Sequence, residues 1–127
     1  MIAQIVLKRV YEPADPADGV RVLVDRLWPR GLTKTRAEVD VWAKDAAPSP
    51  ELRKIWHADP DAHSPARFAV FSADYRRELA VSPASEALDE LAELAREHRR
   101  VTLLYGAKDE QSNHAVVLRA ALLDRLR

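Results

Sequence analysis

The sequence predicts an α/β fold in which a small, mainly parallel sheet of three or four strands is flanked by four to five helices. Short runs of β-branched and aliphatic residues alternate with segments of helical periodicity, as in α/β sandwiches. The run VRVLV at 20–24 is apolar rather than alternating, which is typical of a parallel strand covered on both faces. The length of 127 residues suits one domain, so we expect a single α/β domain over residues 1–127.

Three segments carry strand signals, at residues 2–10, 20–24 and 101–105. Ile2, Ile5 and Val6 mark the first, and VTLLY before Gly106 marks the third. Residues 11–19 are rich in proline and acidic residues and predict a surface loop.

A long polar connection over residues 25–49 separates the second strand from the helices. Pro29 and Gly31 interrupt it, and Thr35 with Glu38 matches a capping box that opens a short helix. Long connections inside small domains are often functional, which directs attention to this segment.

Helix starts are marked by three Ser-Pro pairs, Ser49-Pro50, Ser64-Pro65 and Ser82-Pro83. Serine at the N-cap with proline in the first turn predicts helices over residues 50–57, 65–79 and 83–98. Ser112 is expected to cap a last helix that runs to the C-terminus. Helical spacing predicts the following inward-facing residues: Leu52, Ile55, Trp56, Phe68, Phe71, Tyr75, Leu79, Ala84, Leu88, Leu91, Ala95, Ala115, Leu118, Leu122 and Leu126.

Composition excludes several classes of protein. The chain has 20 Lys+Arg, 20 Asp+Glu and no cysteine, which disfavours a globally basic nucleic-acid binder and excludes disulfides and thiolate chemistry. Dinucleotide, P-loop, nucleophile-elbow and zinc-protease motifs are absent, and the histidines His57, His63 and His98 are scattered, so no cofactor and no metal is predicted. With no signal-peptide pattern and no long apolar run, we expect a cytoplasmic protein without a membrane partner.

Charge is unevenly distributed along the chain. Residues 21–54 hold eight basic and five acidic residues, whereas residues 55–100 hold six basic and nine acidic residues. The long connection therefore belongs to a basic stretch that could attract anions.

Functional-looking residues concentrate after two strands, in DRLWPRG at 25–31 and YGAKDEQSNH at 105–114. If the strands are parallel, both segments emerge at the carboxyl edge of the sheet, where open α/β sheets bind ligands. Arginine and lysine suit phosphate, aromatic rings suit stacking, and a helix start near Ser112 offers amide groups. The predicted ligand-binding residues are Arg26, Trp28, Arg30, Tyr105, Lys108, Asn113 and His114, supported by Lys44, Asp45 and Arg53.

Each of these residues also has a purely structural interpretation. Arg26 and Arg30 could pair with Asp25, Asp45 or Asp109, and Trp28 could anchor its loop. Lys108 with Asp109 could be a solvated turn pair.

The motifs VDRLWPRGLTK, WAKDAAPSPELRK and LLYGAKDEQSNHAVVL together resemble the family known as domain of unknown function 488, in its small YeaO-like bacterial branch. The resemblance spans essentially the whole chain and implies a compact α/β domain with no settled activity. It also implies that related branches carry a cysteine, whose chemistry cannot transfer to this chain. The family's characteristic polar positions fall on Asp25, Arg26, Trp28, Arg30, Lys44, Asp45, Arg53, Tyr105, Lys108, Asp109 and Asn113.

Three functional hypotheses follow. The first is a binding module for a phosphorylated small molecule, such as a nucleotide, or for a nucleic acid. The second is a hydrolase or transferase on such a ligand, with Asp25 or Asp109 as general base and Lys108 or Arg26 stabilising negative charge. The third is an interaction domain with a protein partner, in which the motif residues form a salt-bridge network.

Overall fold

The computed structural model describes residues 3–127 and contains one four-stranded parallel sheet with the order β1-β4-β2-β3. The strands are β1 (Gln4–Arg9), β2 (Val20–Leu23), β3 (Val41–Trp42) and β4 (Arg100–Tyr105). The α-helices are α1 (Lys34–Ala37), α2 (Pro50–Ala58), α3 (Pro65–Leu79), α4 (Ala84–Glu97) and α5 (His114–Arg125), and the 3-10 turns are η1 (Pro16–Asp18) and η2 (Lys44–Ala46). The predicted fold class is confirmed.

The centre of the sheet is β4, which pairs in parallel with β1 on one side and with β2 on the other. Val101 is in register with both Ile5 and Val20. In β2 and β4, Leu23, Leu103 and Leu104 are completely buried, which explains why these runs are continuously apolar. Because both strands run in the same direction, the chain leaves β2 and β4 at adjacent points on one edge.

Helical burial follows the predicted stripes closely. Every predicted inward position of α4 and α5 is buried, and Leu52, Phe71, Tyr75 and Leu79 are buried as well. Trp56 and Phe68 pack against the same core while remaining partly exposed. Ile55 was predicted to face inward but is 68% exposed, because the buried stripe of the short helix α2 is narrow and runs through Leu52 and Trp56.

Two of the predicted helix caps are confirmed. The Oγ atom of Ser49 accepts a hydrogen bond from the Leu52 N–H at 3.1 Å. The Oγ atom of Ser64 accepts one from the Arg67 N–H at 3.3 Å.

Three other helix starts differ from the prediction. Thr33, not Thr35, caps α1, because its Oγ1 atom accepts from the Arg36 N–H at 3.2 Å. Asn113, not Ser112, caps α5. The Ser82-Pro83 peptide bond is cis and α4 begins only at Ala84; the Ser82 hydroxyl donates to the Glu86 carboxylate instead of capping the helix.

Strand β3 was not predicted, because two residues inside a polar connection carry no periodicity. It pairs in parallel with Val22 and Leu23 at the edge of the sheet. At the other edge, the predicted first strand included Ile2, which lies outside the described residues; β1 is described from Gln4.

A buried ionic cluster lies on β1, η1 and β2. Nη1 of Arg21 lies 2.5 Å from Oδ2 of Asp18, and Nζ of Lys8 lies 3.1 Å from the same oxygen. Arg21 also donates to the carbonyl oxygens of Ala37 at 2.7 Å and Glu38 at 3.0 Å. Arg21 therefore joins η1 to the end of α1, although it contributed to the basic stretch in the sequence.

Glu38 ends α1 in the left-handed region, with φ 46° and ψ 49°. A side chain with a Cβ atom is strained there, whereas glycine is not. We expect Glu38→Gly to raise the free energy of unfolding by about 0.5–1 kcal/mol, measured by urea unfolding. Glu38→Ala is the matched control, because it removes the charge and keeps the Cβ atom; equal stabilisation by both variants would contradict the backbone explanation.

None of the helices within residues 3–127 is long and apolar enough to cross a membrane.

Candidate functional site

A cleft of about 860 Å³ opens at the carboxyl edge of the sheet. The loops that follow β2 and β4 form two of its walls, and α2 with the turn before α3 forms another. Both segments singled out in the sequence therefore line one site, as the parallel topology requires.

Asp25 connects the two strand ends to α5. Its Oδ2 atom accepts a hydrogen bond from the Gly106 N–H at 2.9 Å, and its Oδ1 atom lies 3.0 Å from Nε2 of His114. A Cβ atom at position 106 would lie 2.9 Å from Asp25 Oδ2, so glycine permits this close approach. Asp25 thus holds together the loops on both sides of the cleft.

The ring of His114 completes this connection. Its Nε2 atom lies 3.0 Å from both the Val24 carbonyl oxygen and Asp25 Oδ1. Both neighbours are acceptors, so Nε2 is the donor to the Val24 carbonyl oxygen, and Asp25 Oδ1 lies beside it as an ionic contact. Asp25 Oδ1 is buried and, beyond this ionic contact, has no hydrogen-bond donor of its own among residues 3–127.

Arg26 fixes the chain segment before α2. Its guanidinium donates to the carbonyl oxygens of Pro48 at 3.2 Å and Ala47 at 3.0 Å. Asp45 lies 3.7 Å away and is 61% exposed, which makes this ion pair a weak one. Arg26 thus acts mainly as a brace, although it also lines the cleft.

The two predicted stacking residues are both engaged in packing. Trp28 donates from Nε1 to the Leu32 carbonyl oxygen at 2.6 Å and packs edge-on against Trp42, with ring centroids 5.3 Å apart. Tyr105 is only 3% exposed, and burial raises the pKa of its hydroxyl. Trp28 still borders the cleft, whereas Tyr105 belongs to the core beneath it.

Asp109 and Asn113 organise the loop that leads into α5. Oδ1 of Asp109 accepts from the N–H groups of Gln111 at 2.8 Å and Ser112 at 2.9 Å. These hydrogen bonds, from Ser112 first and then Gln111, hold the pKa of Asp109 below its usual value. Asn113 accepts from Val116 at 3.1 Å and donates to the Asp109 carbonyl oxygen at 2.8 Å. The amide groups near Ser112, suggested for an anion by the sequence, are thus partly occupied by Asp109.

Lys44 and Asp45 do not line the cleft. Nζ of Lys44 lies 4.0 Å from the centroid of the Trp42 ring, a cation–π contact beside β3. The connection of this pair to the cleft is the contact of Asp45 with Arg26.

Three basic side chains around the cleft have no hydrogen-bonding or ionic partner within residues 3–127: Arg30, Arg53 and Lys108. Each carboxylate that lines the cleft contacts another side chain. Asp25 contacts His114, Asp59 lies 3.5 Å from Arg67, and Asp109 lies 3.1 Å from His63. The three basic side chains therefore lack a carboxylate partner within residues 3–127, whereas each lining carboxylate has a side-chain contact.

The sequence interpretation missed the convergence of three histidines. His57, His63 and His114 line the same cleft, whereas they are far apart along the chain. Partial burial, followed by the nearby charges of Arg53, His114 and His63, lowers the pKa of His57. His57 and His63 both lie between the Ser-Pro pairs at residues 49–50 and 64–65, which is the one signal that placed them near each other. No spacing rule connected them to His114.

Trp56 was predicted as a core residue and also forms part of the cleft wall. Its ring lies 4.5 Å from that of Phe71 and 5.6 Å, edge-on, from that of His63. The exposed side chain of Leu27, 59% accessible, borders the same space. The cleft therefore has an apolar wall beside its basic groups.

In the part of the chain from residue 3 onward, no three His, Asp or Glu side chains are placed to hold a metal ion.

Comparison with known proteins finds one family model and several bacterial proteins that match nearly the whole chain. Residues 4–127 match the family model described as the inactive DUF488-N3 subclade. The chain is similar to the uncharacterized protein YeaO of Escherichia coli strain K12, with 45% identity over 114 residues that cover 90% of this chain and 92% of YeaO. It is also similar to the uncharacterized protein Rv3073c of Mycobacterium tuberculosis strain H37Rv, with 42% identity over 124 residues and 96% of each chain covered. No solved structure matches.

Proposed function

Because the chain belongs to the DUF488 family, in its inactive DUF488-N3 subclade, we propose that it is a binding module for a phosphate-bearing ligand, a nucleotide or a nucleic acid. The ligand is held in the cleft at the carboxyl edge of the sheet. The observation that carries this proposal is the set of three basic side chains, Arg30, Arg53 and Lys108, that line the cleft without a hydrogen-bonding or ionic partner among residues 3–127. Each carboxylate of the cleft instead contacts another side chain.

The size and lining of the cleft support a small or locally bound ligand. A volume of about 860 Å³ falls within the range of small-molecule sites. Guanidinium and ammonium groups bind phosphate oxygens by charge-assisted hydrogen bonds. Trp56 and Leu27 offer an apolar surface to the remainder of the ligand.

The catalytic alternative has weaker support. A general base needs a carboxylate that is free to accept a proton from the reacting group. Asp25 instead accepts from Gly106 and contacts His114, and Asp109 accepts from two backbone amides and contacts His63. Both carboxylates therefore act as positioning groups for the cleft loops.

The salt-bridge-network alternative also fits poorly. Arg26 binds carbonyl oxygens, and its one carboxylate neighbour is largely exposed. The buried ionic cluster of the protein is formed by Lys8, Asp18 and Arg21 instead.

We expect Arg53→Gln to weaken binding of pyrophosphate by about tenfold, because it removes one charge-assisted contact and leaves the fold intact. Isothermal titration calorimetry at 50 mM salt is the measurement, with thermal unfolding as the check on folding. Arg99→Gln is the matched control, because Arg99 is exposed and does not line the cleft. Equal loss of affinity in both variants would mean that only general charge matters. Absence of binding by pyrophosphate, nucleotides and short oligonucleotides at millimolar concentration would refute the proposed function.

A further inference from the structure

The three unpartnered basic side chains come from three different walls of the cleft. Arg30 lies in the loop after β2, Arg53 lies on α2, and Lys108 lies in the loop after β4. No two of them share a helix or a strand, and all three are exposed side chains that line the same cleft. Proteins that track a polyanionic strand instead place their basic groups along an extended groove.

Hydrogen bonds made by Asp25 and Tyr11 fix the loops that carry Arg30 and Lys108. Asp25 ties the loop of Arg30 to Gly106, two residues before Lys108, through the 2.9 Å hydrogen bond. The hydroxyl of Tyr11 donates to the Arg30 carbonyl oxygen at 3.0 Å and secures the same loop from the other side. The backbone that carries Arg30 and Lys108 is therefore positioned before any ligand arrives, which lowers the entropic cost of binding.

The number of donors distinguishes two kinds of phosphate. A terminal phosphate carries about −1.5 to −2 charges at pH 7 and offers three acceptor oxygens. An internal phosphodiester carries a single charge and only two non-bridging oxygens. The three separate cations equal the oxygens of the terminal group in number, and they outnumber the two non-bridging oxygens of a diester.

Resting on the proposed function, we propose that the cleft recognises a terminal phosphate, the phosphomonoester of a small molecule such as a mononucleotide, rather than the internal phosphodiesters of a nucleic acid. The overall charge agrees with this assignment. The chain has a formal net charge of +0, whereas binding of a polyanion draws its affinity from an excess of positive charge. The acidic row Glu86, Glu90, Glu93 and Glu97 on α4 adds repulsion at long range.

Ligands that share a base and differ only in the phosphate provide the test. Isothermal titration calorimetry of the full chain with 5′-AMP, 3′,5′-cyclic AMP and adenosine compares a monoester, a diester and no phosphate. We expect 5′-AMP to bind about tenfold or more tightly than cyclic AMP, because the diester has lost one charge and one acceptor. Adenosine should bind more weakly than either.

Substitutions in the cleft test whether its basic side chains cause the preference for 5′-AMP over cyclic AMP. Lys108→Met and Arg30→Gln should each reduce the ratio of the two affinities at least about threefold, while Arg99→Gln leaves it unchanged. Equal binding of cyclic AMP and 5′-AMP, or tight binding of an oligonucleotide without a terminal phosphate, would overturn this inference and leave the proposed function standing. Absence of binding by all phosphate compounds would instead remove the proposed function, and this inference with it.

Discussion

Replacing Arg21 with methionine is expected to lower the free energy of unfolding by about 3–5 kcal/mol, which is the cost of removing one partner from a buried ion pair. The side chain of Arg21 is only 5% exposed and that of Asp18 only 8%. The substitution leaves Lys8 as the one ionic partner of Asp18 among residues 3–127 and removes the donors to the carbonyl oxygens of Ala37 and Glu38. Urea unfolding at pH 7 measures the loss.

The exposed ion pair between Arg96 and Glu93 supplies the control for Arg21→Met. Arg96→Met removes a pair of 3.5 Å between side chains that are both more than half exposed. We expect its cost to stay below about 1 kcal/mol. Similar losses from both substitutions would contradict the importance of burial.

The effect of Arg21→Met should also depend on pH. Burial by itself raises the pKa of Asp18, but hydrogen bonds from the Asp15 N–H, Lys8 and Arg21 outweigh it and hold the pKa below the ordinary 3.8. A depressed pKa stabilises the folded state above the unfolded value, and this stabilisation is lost as the pH falls through the folded pKa. The difference between wild type and variant should therefore be full at pH 7 and narrow below pH 3.8. A difference that widens in acid would exclude this explanation.

Asp25→Ala is expected to lower the free energy of unfolding by about 2–3 kcal/mol and to weaken pyrophosphate binding by about tenfold or more. The Gly106 N–H loses its acceptor, and His114 keeps only the Val24 carbonyl oxygen. The loops that carry Arg30 and Lys108 are then no longer tied together. Urea unfolding and calorimetry measure the two effects on the same preparations.

Asp45→Ala is the matched control for Asp25→Ala, because it removes a nearby carboxylate that is 61% exposed. We expect it to change stability by less than about 1 kcal/mol and to leave binding nearly unchanged. If Asp25→Ala destabilised the fold but kept full affinity, the connection between the two loops would not matter for the site.

Local chemistry explains the part of the fold that could be predicted. A capping serine accepts a hydrogen bond from an N–H group only three residues later, so Ser49-Pro50 and Ser64-Pro65 marked two helix starts correctly. Asn113 and its neighbour Ser112 are both good N-cap residues for α5, and the sequence alone does not show that Asn113 is the cap. The Ser82 hydroxyl donates to the Glu86 carboxylate instead of capping α4, which the local sequence pattern did not indicate.

The location of the cleft was predictable from the order of the elements, but its composition was only partly so. Parallel strands place the ends of β2 and β4 together, which united residues 25–30 with 106–114. Arg53 was predicted only as a supporting residue, yet it is one of three basic side chains of the cleft that have no partner in the part of the chain from residue 3 onward. His57 on α2 and His63 in the turn before α3 line the cleft because these segments form one of its walls, a packing arrangement that no periodicity encodes.

Strand runs, helix faces and two of the helix starts follow from the sequence itself, because residues within a few positions of one another decide them. Only the tertiary structure decides which charges are satisfied and which remain available to a ligand. Asp25 meets Gly106 across 81 positions, and Arg21 reaches the carbonyl oxygen of Ala37 across 16. Such pairings depend on how the elements pack, and they leave three basic side chains of the cleft without a partner among residues 3–127.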